Sequence, residues 1–172
     1  MDASGEPHWL SAEERRTWLA VVGVATLLGP ALDAQLQRDA GISHFEYQVL
    51  AMLSEAPGRT ARMSRLAVLA NGSLSRLSHG VSRLERRGWV ERRPDPDDGR
   101  YTLAVLNEAG WEKVVATAPG HVEEARRLVL DPLTQAQQRQ AIEIGHRILH
   151  AIDPGDTCTG GPGRPDSSWG AP

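Results

Sequence analysis

Apolar positions recur every three to four residues over most of the chain, and polar capping pairs mark where the runs begin. Ser11 with Glu14, Ser43 with Glu46 and Thr134 with Gln137 each have capping-box spacing. In such a pair a hydroxyl and a carboxylate or amide satisfy orphan donors at a helix N-terminus. They predict helices beginning near Ala12, His44 and Gln135, the last running to about Ala151 with Ala141, Ile144, Ile148 and Ile152 apolar. The first helix carries Trp18, Leu19, Val22, Ala25, Leu28 and Leu32 on one face, widened by Val21, Val24 and Leu27. That face is broader than a small domain covers, so a second subunit is the expected cover. Pro30 lacks a backbone donor and is expected to kink this helix. The second helix has Phe45, Val49, Leu50 and Leu53 as apolar positions and ends at Glu-Ala-Pro-Gly-Arg.

A short helix from Met63 to Ala70 follows, with Met63, Leu66, Ala67 and Ala70 on one face. Asn71-Gly72 breaks it and Ser73 caps the next helix, from Leu74 to about Arg87. Leu74, Leu77, Val81 and Leu84 form its apolar face, and Ser75, Arg76, Ser78, His79, Ser82, Arg83 and Arg86 its polar one. Two helices joined by a three-residue turn form a helix-turn-helix. Val90 to Pro94 and Arg100 to Leu106 then read as strands joined by Asp-Pro-Asp-Asp-Gly, with Tyr101, Leu103 and Val105 alternating. Asn107 caps a long helix containing Trp111, Val114, Val115, Val122, Ala125 and Val129, expected to bend at Pro119-Gly120.

The predicted fold class is mainly α with a small β-hairpin wing: a winged helix-turn-helix core plus a helical dimerisation domain, about six helices in all. Residues 1–10 are expected to be a flexible N-terminus, 11–42 a dimerisation helix and 43–106 the winged core. Residues 107–152 are expected to form the C-terminal helices, and 153–172, rich in Gly, Pro and Asp, a disordered tail.

Charge sharpens this picture. The chain of 172 residues has a formal net charge of −3, yet residues 59–100 hold ten arginines against five acids. Residues 73–93 alone hold six arginines and four serines. A basic block inside an acidic chain implies a local, directed positive surface. Many charged helix faces are merely solvated. Here a supporting helix, a tight turn and a basic hairpin frame the face, and those are parts that dock a helix in a DNA major groove. Asp98-Gly99-Arg100 at the hairpin tip fits an arginine that enters the minor groove, with Asp98 orienting its guanidinium. Taken alone, the same triplet is an ordinary exposed turn.

Other chemistry is thinner. No nucleophile elbow, phosphate-binding glycine loop or paired metal-ligand motif occurs, so an enzyme is not expected. Glu143, His146 and His150 share a helix face and could approach a metal, but a fourth ligand is missing and no metal or other cofactor is expected. Cys158 has no basic neighbour closer than Arg164 to lower its pKa, which argues against thiol sensing. The lone thiol, the acidic N-terminus and the short apolar run from Trp18 to Leu28 fit a soluble cytoplasmic protein with that run in a buried helix.

Residues 62–110 resemble the DNA-binding core of the multiple-antibiotic-resistance regulator (MarR) family. The likeness lies in Met63-Ser64 and Leu66-Ala67, Leu74 to Leu84, Arg-Leu-Glu-Arg-Arg-Gly-Trp-Val-Glu-Arg-Arg, the wing Asp98-x-Arg100 and Val-Leu-Asn-Glu-Ala-Gly. The order of helices extends it to roughly residues 10–151, although Asn107 stands where a threonine is usual. The resemblance implies a homodimeric transcriptional regulator, usually a repressor, that binds double-stranded DNA at a pseudo-palindromic operator, with residues 107–152 supplying C-terminal dimerisation helices. It implies DNA contacts from Ser75, Arg76, Ser78, His79, Arg83 and the wing pair Asp98 and Arg100, and the basic stretch itself adds Ser73, Ser82, Arg86 and Arg93 to the expected DNA-binding residues. It also implies a cleft for a small aromatic or amphipathic organic effector, bordered by Trp18, His44, Tyr47, Trp111 and His121. The alternatives are a winged-helix protein-docking module and a nonspecific architectural DNA binder.

Overall fold

The computed structural model describes residues 7–70 and 72–154. The expected flexibility of residues 1–6, the turn residue Asn71 and the expected disorder of the tail with Cys158 lie outside the described residues. Six α-helices run Ala12–Ala40 (α1), His44–Glu55 (α2), Met63–Leu69 (α3), Leu74–Arg86 (α4), Glu108–Ala125 (α5) and Gln135–Ile152 (α6). Three strands, Thr60–Arg62 (β1), Val90–Pro94 (β2) and Thr102–Leu106 (β3), form one antiparallel sheet in the order β1-β3-β2.

All three expected capping boxes are formed, at Ser11, Ser43 and Thr134, and Ser73 and Asn107 cap α4 and α5. Each places a side-chain oxygen on an N–H that the first helical turn leaves unpaired. Gly41 closes α1 in the left-handed conformation, φ 67°, which an L side chain adopts only with strain.

The core is centred on the winged lobe. Leu36 near the end of α1, Ile42 just after it, Val49, Leu50 and Leu53 of α2, Leu66 of α3 and Leu77, Val81 and Leu84 of α4 pack with Ala104 of β3, all at 0% exposure. The sheet base and Val114 of α5 close it.

Several expectations need correction. The wing is three-stranded: β1 pairs with the far edge of β3, Thr60 opposite Val105 and Arg62 opposite Leu103. Three residues are too short to show alternation, so only the long-range pairing reveals this strand. β3 begins at Thr102 because Arg100 and Tyr101 remain in the turn, where the Tyr101 N–H donates to the Asp98 carbonyl at 3.0 Å. Helices α1 and α5 keep their helical assignment through Pro30 and Pro119, so neither proline ends its helix, and a π-helical turn at Arg126–Leu130 follows α5. Leu74, counted with the apolar face of α4, is 56% exposed, because it precedes the part of the helix covered by α2 and the sheet.

The largest correction concerns α1. Only Leu32, Gln35 and Leu36 are buried in it, while Trp18, Leu19, Val24 and Leu27 are exposed. By length and composition it is the one described helix that could cross a membrane. Helix α6 buries no residue at all.

Candidate nucleic-acid interface

Helix α4 presents four stripes, each set by 3.6-residue periodicity. Leu77, Val81 and Leu84 face the core. Ser75, His79 and Arg86 lie opposite and are exposed; Ser75 and His79 have no side-chain partner among the described residues. These three form the crest a groove would meet. The two flanks are held by neighbouring elements.

One flank faces α2. Phe45 fits its ring edge against α4 because two glycines leave room: a Cβ on Gly80 would stand 3.0 Å from Phe45 Cε1, and one on Gly72 3.2 Å from Cε2. The Arg76 guanidinium lies over the ring face, 4.4 Å from its centroid. Next along the stripe, Arg83 Nε donates to Glu46 Oε1 at 2.6 Å. Glu46 is almost fully buried, and its other oxygen accepts from the Ser43 backbone N–H at 2.8 Å and from the Ser43 hydroxyl at 3.0 Å. Burial pushes the Glu46 carboxyl up, but the Ser43 N–H, the Arg83 hydrogen bond, the Ser43 hydroxyl and the Arg83 charge together bring it below its ordinary range. Arg83, expected among the DNA contacts, is therefore turned toward α2.

The other flank faces the wing. Arg92 of β2 donates from Nε and Nη2 to Glu85 Oε2 at 2.9 and 2.5 Å. Its Nη2 also reaches the Ser82 hydroxyl at 3.0 Å and its Nη1 the Ser78 hydroxyl at 3.5 Å. Ser78 and Ser82 thus stand half-buried beside the wing rather than on the crest. Arg92 was not among the expected site residues. Seven positions separate it from Glu85, and only the return of the chain as β2 brings the two together.

Ser73 spends its hydroxyl oxygen on the Arg76 N–H at 3.1 Å. On the wing, Arg93 pairs with Glu91 at 2.9 and 2.8 Å, both side chains exposed. The expected pair at the tip is present: Arg100 Nε and Nη2 donate to the two Asp98 oxygens at 2.9 and 2.6 Å, with the Arg100 side chain 85% exposed. The Arg100 hydrogen bonds lower the Asp98 carboxyl, so the pair stays charged and preformed. Arg62 of β1, missed because β1 was missed, braces the wing from below. It donates to buried Asp95 at 2.7 Å and stacks on Tyr101 at 4.5 Å.

The five residues expected to border an effector cleft fall into three places. His44, Tyr47 and His121 meet between α2 and α5, with ring centroids 4.5 Å apart for Tyr47–His121 and 5.7 Å for His44–His121. Gln35 of α1 joins them, its Oε1 3.4 Å from His121 Nδ1. Burial lowers both histidines, opposed by Asp33 at His44 and reinforced by His44 at His121, and burial raises Tyr47. Trp111 instead lies under Arg59, at 4.3 Å, near the start of α5. Trp18 lines an open groove of about 410 Å³ with Val21 and Ile148, where α1 meets α6. Glu143 pairs with Arg147 at 2.6 Å, and among the described residues it, His146 and His150 form no metal-binding group.

The comparisons with known proteins agree with this architecture. The MarR family model matches residues 40–100. The chain is 46% identical to Sco3205, a MarR family transcriptional regulator from Streptomyces coelicolor solved in complex with DNA, covering 87% of this chain and 94% of that one with a TM-score of 0.82. It is 34% identical to AbsC, a MarR family regulator from the same organism, covering 85% and 98% with a TM-score of 0.80. It is also 32% identical to the HTH-type transcriptional regulator YdcH of Bacillus subtilis, over 66% of this chain and 71% of that one. With its winged helix-turn-helix, its exposed polar crest on α4 and these relatives, the chain belongs to the MarR family of DNA-binding transcriptional regulators.

Proposed function

We propose that the protein is a homodimeric repressor that binds a pseudo-palindromic operator and is released by a small organic effector. The observation that carries the dimer is α6: an 18-residue amphipathic helix with Ile144, Ile148 and Ile152 exposed that buries no residue among the described residues of one subunit. Such a helix gains its stability from packing, and the exposed apolar face of α1 lies beside it at the Trp18–Ile148 groove. A second copy covers both with one two-fold interface. Each α4 crest then enters one major groove and each Arg100 the adjacent minor groove, with half-sites about 10–10.5 base pairs apart. The Sco3205 structure in complex with DNA supports DNA as the partner.

The effector reading rests on His44, Tyr47, His121 and Gln35, polar and aromatic groups gathered from three helices where the dimerisation helices meet the winged lobe. A planar amphipathic molecule suits such a site. Selection from random double-stranded DNA at two salt concentrations tests the whole reading. Enrichment of a palindrome supports it and supplies the probe for an effector screen. Salt-sensitive binding without a motif points to a nonspecific binder, and no binding to a protein-docking module. Sedimentation without detergent reports the dimer, and separates it from a membrane role for α1.

A further inference from the structure

We infer that Glu46 is a positioning residue for DNA recognition: it takes Arg83 out of the DNA-contacting set and uses it to fix the orientation of the recognition helix. This deepens the reading of α4 as the DNA-reading helix and rests on it. Arg76, Gly80 and Arg83 occupy the flank of α4 that faces α2, with Gly72 extending it before the helix begins. All four are met by two consecutive residues, Phe45 and Glu46. The Phe45 contacts, the Arg76 guanidinium over the ring face and the two glycines at the ring edge, set how closely α4 approaches α2 but place no hydrogen bond on this flank against a roll about its axis. The Arg83–Glu46 bond at 2.6 Å stops that roll, because Glu46 is itself pinned by both donors of Ser43.

Burial gives the pair its direction. Glu46 has a side-chain exposure of 5%, so an arginine that swung to a phosphate would leave a buried carboxylate without its cation. A roll of the helix moves the crest residues Ser75, His79 and Arg86 together relative to the base edges, which alters discrimination between sequences more than attraction to phosphate. The neighbouring residues His44 and Tyr47 point the other way, to His121 of α5. One turn of α2 therefore touches both the recognition helix and the dimerisation helices.

The test uses the full-length chain and the DNA motif the wild type selects, with three variants, R83K, R83Q and E46Q, and the double variant E46Q/R83Q. Kd is measured on the motif and on a scrambled duplex over a range of salt, with thermal melts to confirm folding. Lysine at position 83 keeps a point charge for a phosphate but lacks the Nε–H that Arg83 directs at Glu46, its ammonium lying one bond further out at the end of a flexible stem. If Glu46 positions the helix, R83K, R83Q and E46Q each lower the specific-to-scrambled ratio about tenfold, the size of one mismatched base pair. The double variant is then no worse than either single one, and R83Q leaves the salt slope unchanged.

If Arg83 contacts a phosphate, R83K binds as the wild type does and R83Q reduces the salt slope by about 0.9, which overturns the inference. Unchanged discrimination in E46Q, or additive losses in the double variant, overturns it as well. A wild-type chain that selects no motif defeats the reading of α4 itself, and that failure is seen before any variant is made.

Discussion

Replacing Gly110 by alanine tests whether tertiary contact overrides helix propensity at the joint between the winged lobe and α5. Gly110 lies in the first turn of α5, its N–H donating to the Asn107 side chain at 2.9 Å. At an ordinary helical position the change would stabilise by about 1 kcal/mol. Here an added Cβ would stand 2.2 Å from the Trp89 carbonyl oxygen, 3.1 Å from its carbon and 2.5 Å from Leu106 Cδ1. Leu106 can rotate, but the Trp89 carbonyl is backbone and already accepts the Asn107 N–H at 3.2 Å. The helix start and the α4–β2 connection must therefore separate by roughly 1 Å within a close-packed core.

Overpacking of this kind costs about 1–3 kcal/mol, so the substitution destabilises where propensity alone predicts a gain. For a chain of 172 residues that corresponds to a Tm lower by roughly 2–12 °C at fixed protein concentration. Thermal melts followed by circular dichroism read it directly. Specific DNA affinity should fall as well, since the joint sets how the winged lobe sits on α5. A Tm equal to or above that of the wild type would refute the reasoning.

Four further outcomes are expected. Arg100→Ala should weaken binding on all sequences and reduce the salt slope by about 1, while Asp98→Asn, which only loosens the guanidinium, should change the slope less; equal slopes for wild type and Arg100→Ala would remove the wing arginine from the interface. Arg92→Ala should relax discrimination between operators with a stability loss below about 1 kcal/mol, because the pair it breaks is partly exposed. Burial lowers His44 and His121 in the folded protein, so the unfolded chain binds protons first: stability is full above about pH 6.5 and falls as pH drops below it, and urea titrations of His121→Gln should show a shallower decline. Ile148→Glu should yield a monomer by sedimentation and abolish selection of a palindrome, and a persisting dimer would place the interface elsewhere.

Much of the architecture was legible in the chain because it depends on local chemistry. Capping boxes name helix starts through contacts spanning three residues, and Asp98 with Arg100 forms its pair within a single turn. The helix-turn-helix and the basic polar face of α4 likewise follow from periodicity within one helix. The individual roles on that face did not follow. Seven polar residues were read as one surface, yet the fold divides them into an exposed crest, a flank held by Phe45 and Glu46 and a flank held by Arg92.

The same limit explains the effector residues. His44, Tyr47 and His121 meet because α5 crosses α2, whereas Trp18 and Trp111 lie on distant stretches of α1 and α5. No spacing in the chain distinguishes them. Strand β1 escaped notice for a related reason: three residues carry no period, and they become a strand only when β3 offers an edge. The helices, their caps, the helix-turn-helix and the location of its positive charge are thus written in the chain, as properties of neighbouring residues. Which arginines of α4 are held depends instead on tertiary packing, because the buried Glu46 carboxylate and the Phe45 ring face reach Arg83 and Arg76 only when α2 packs against α4.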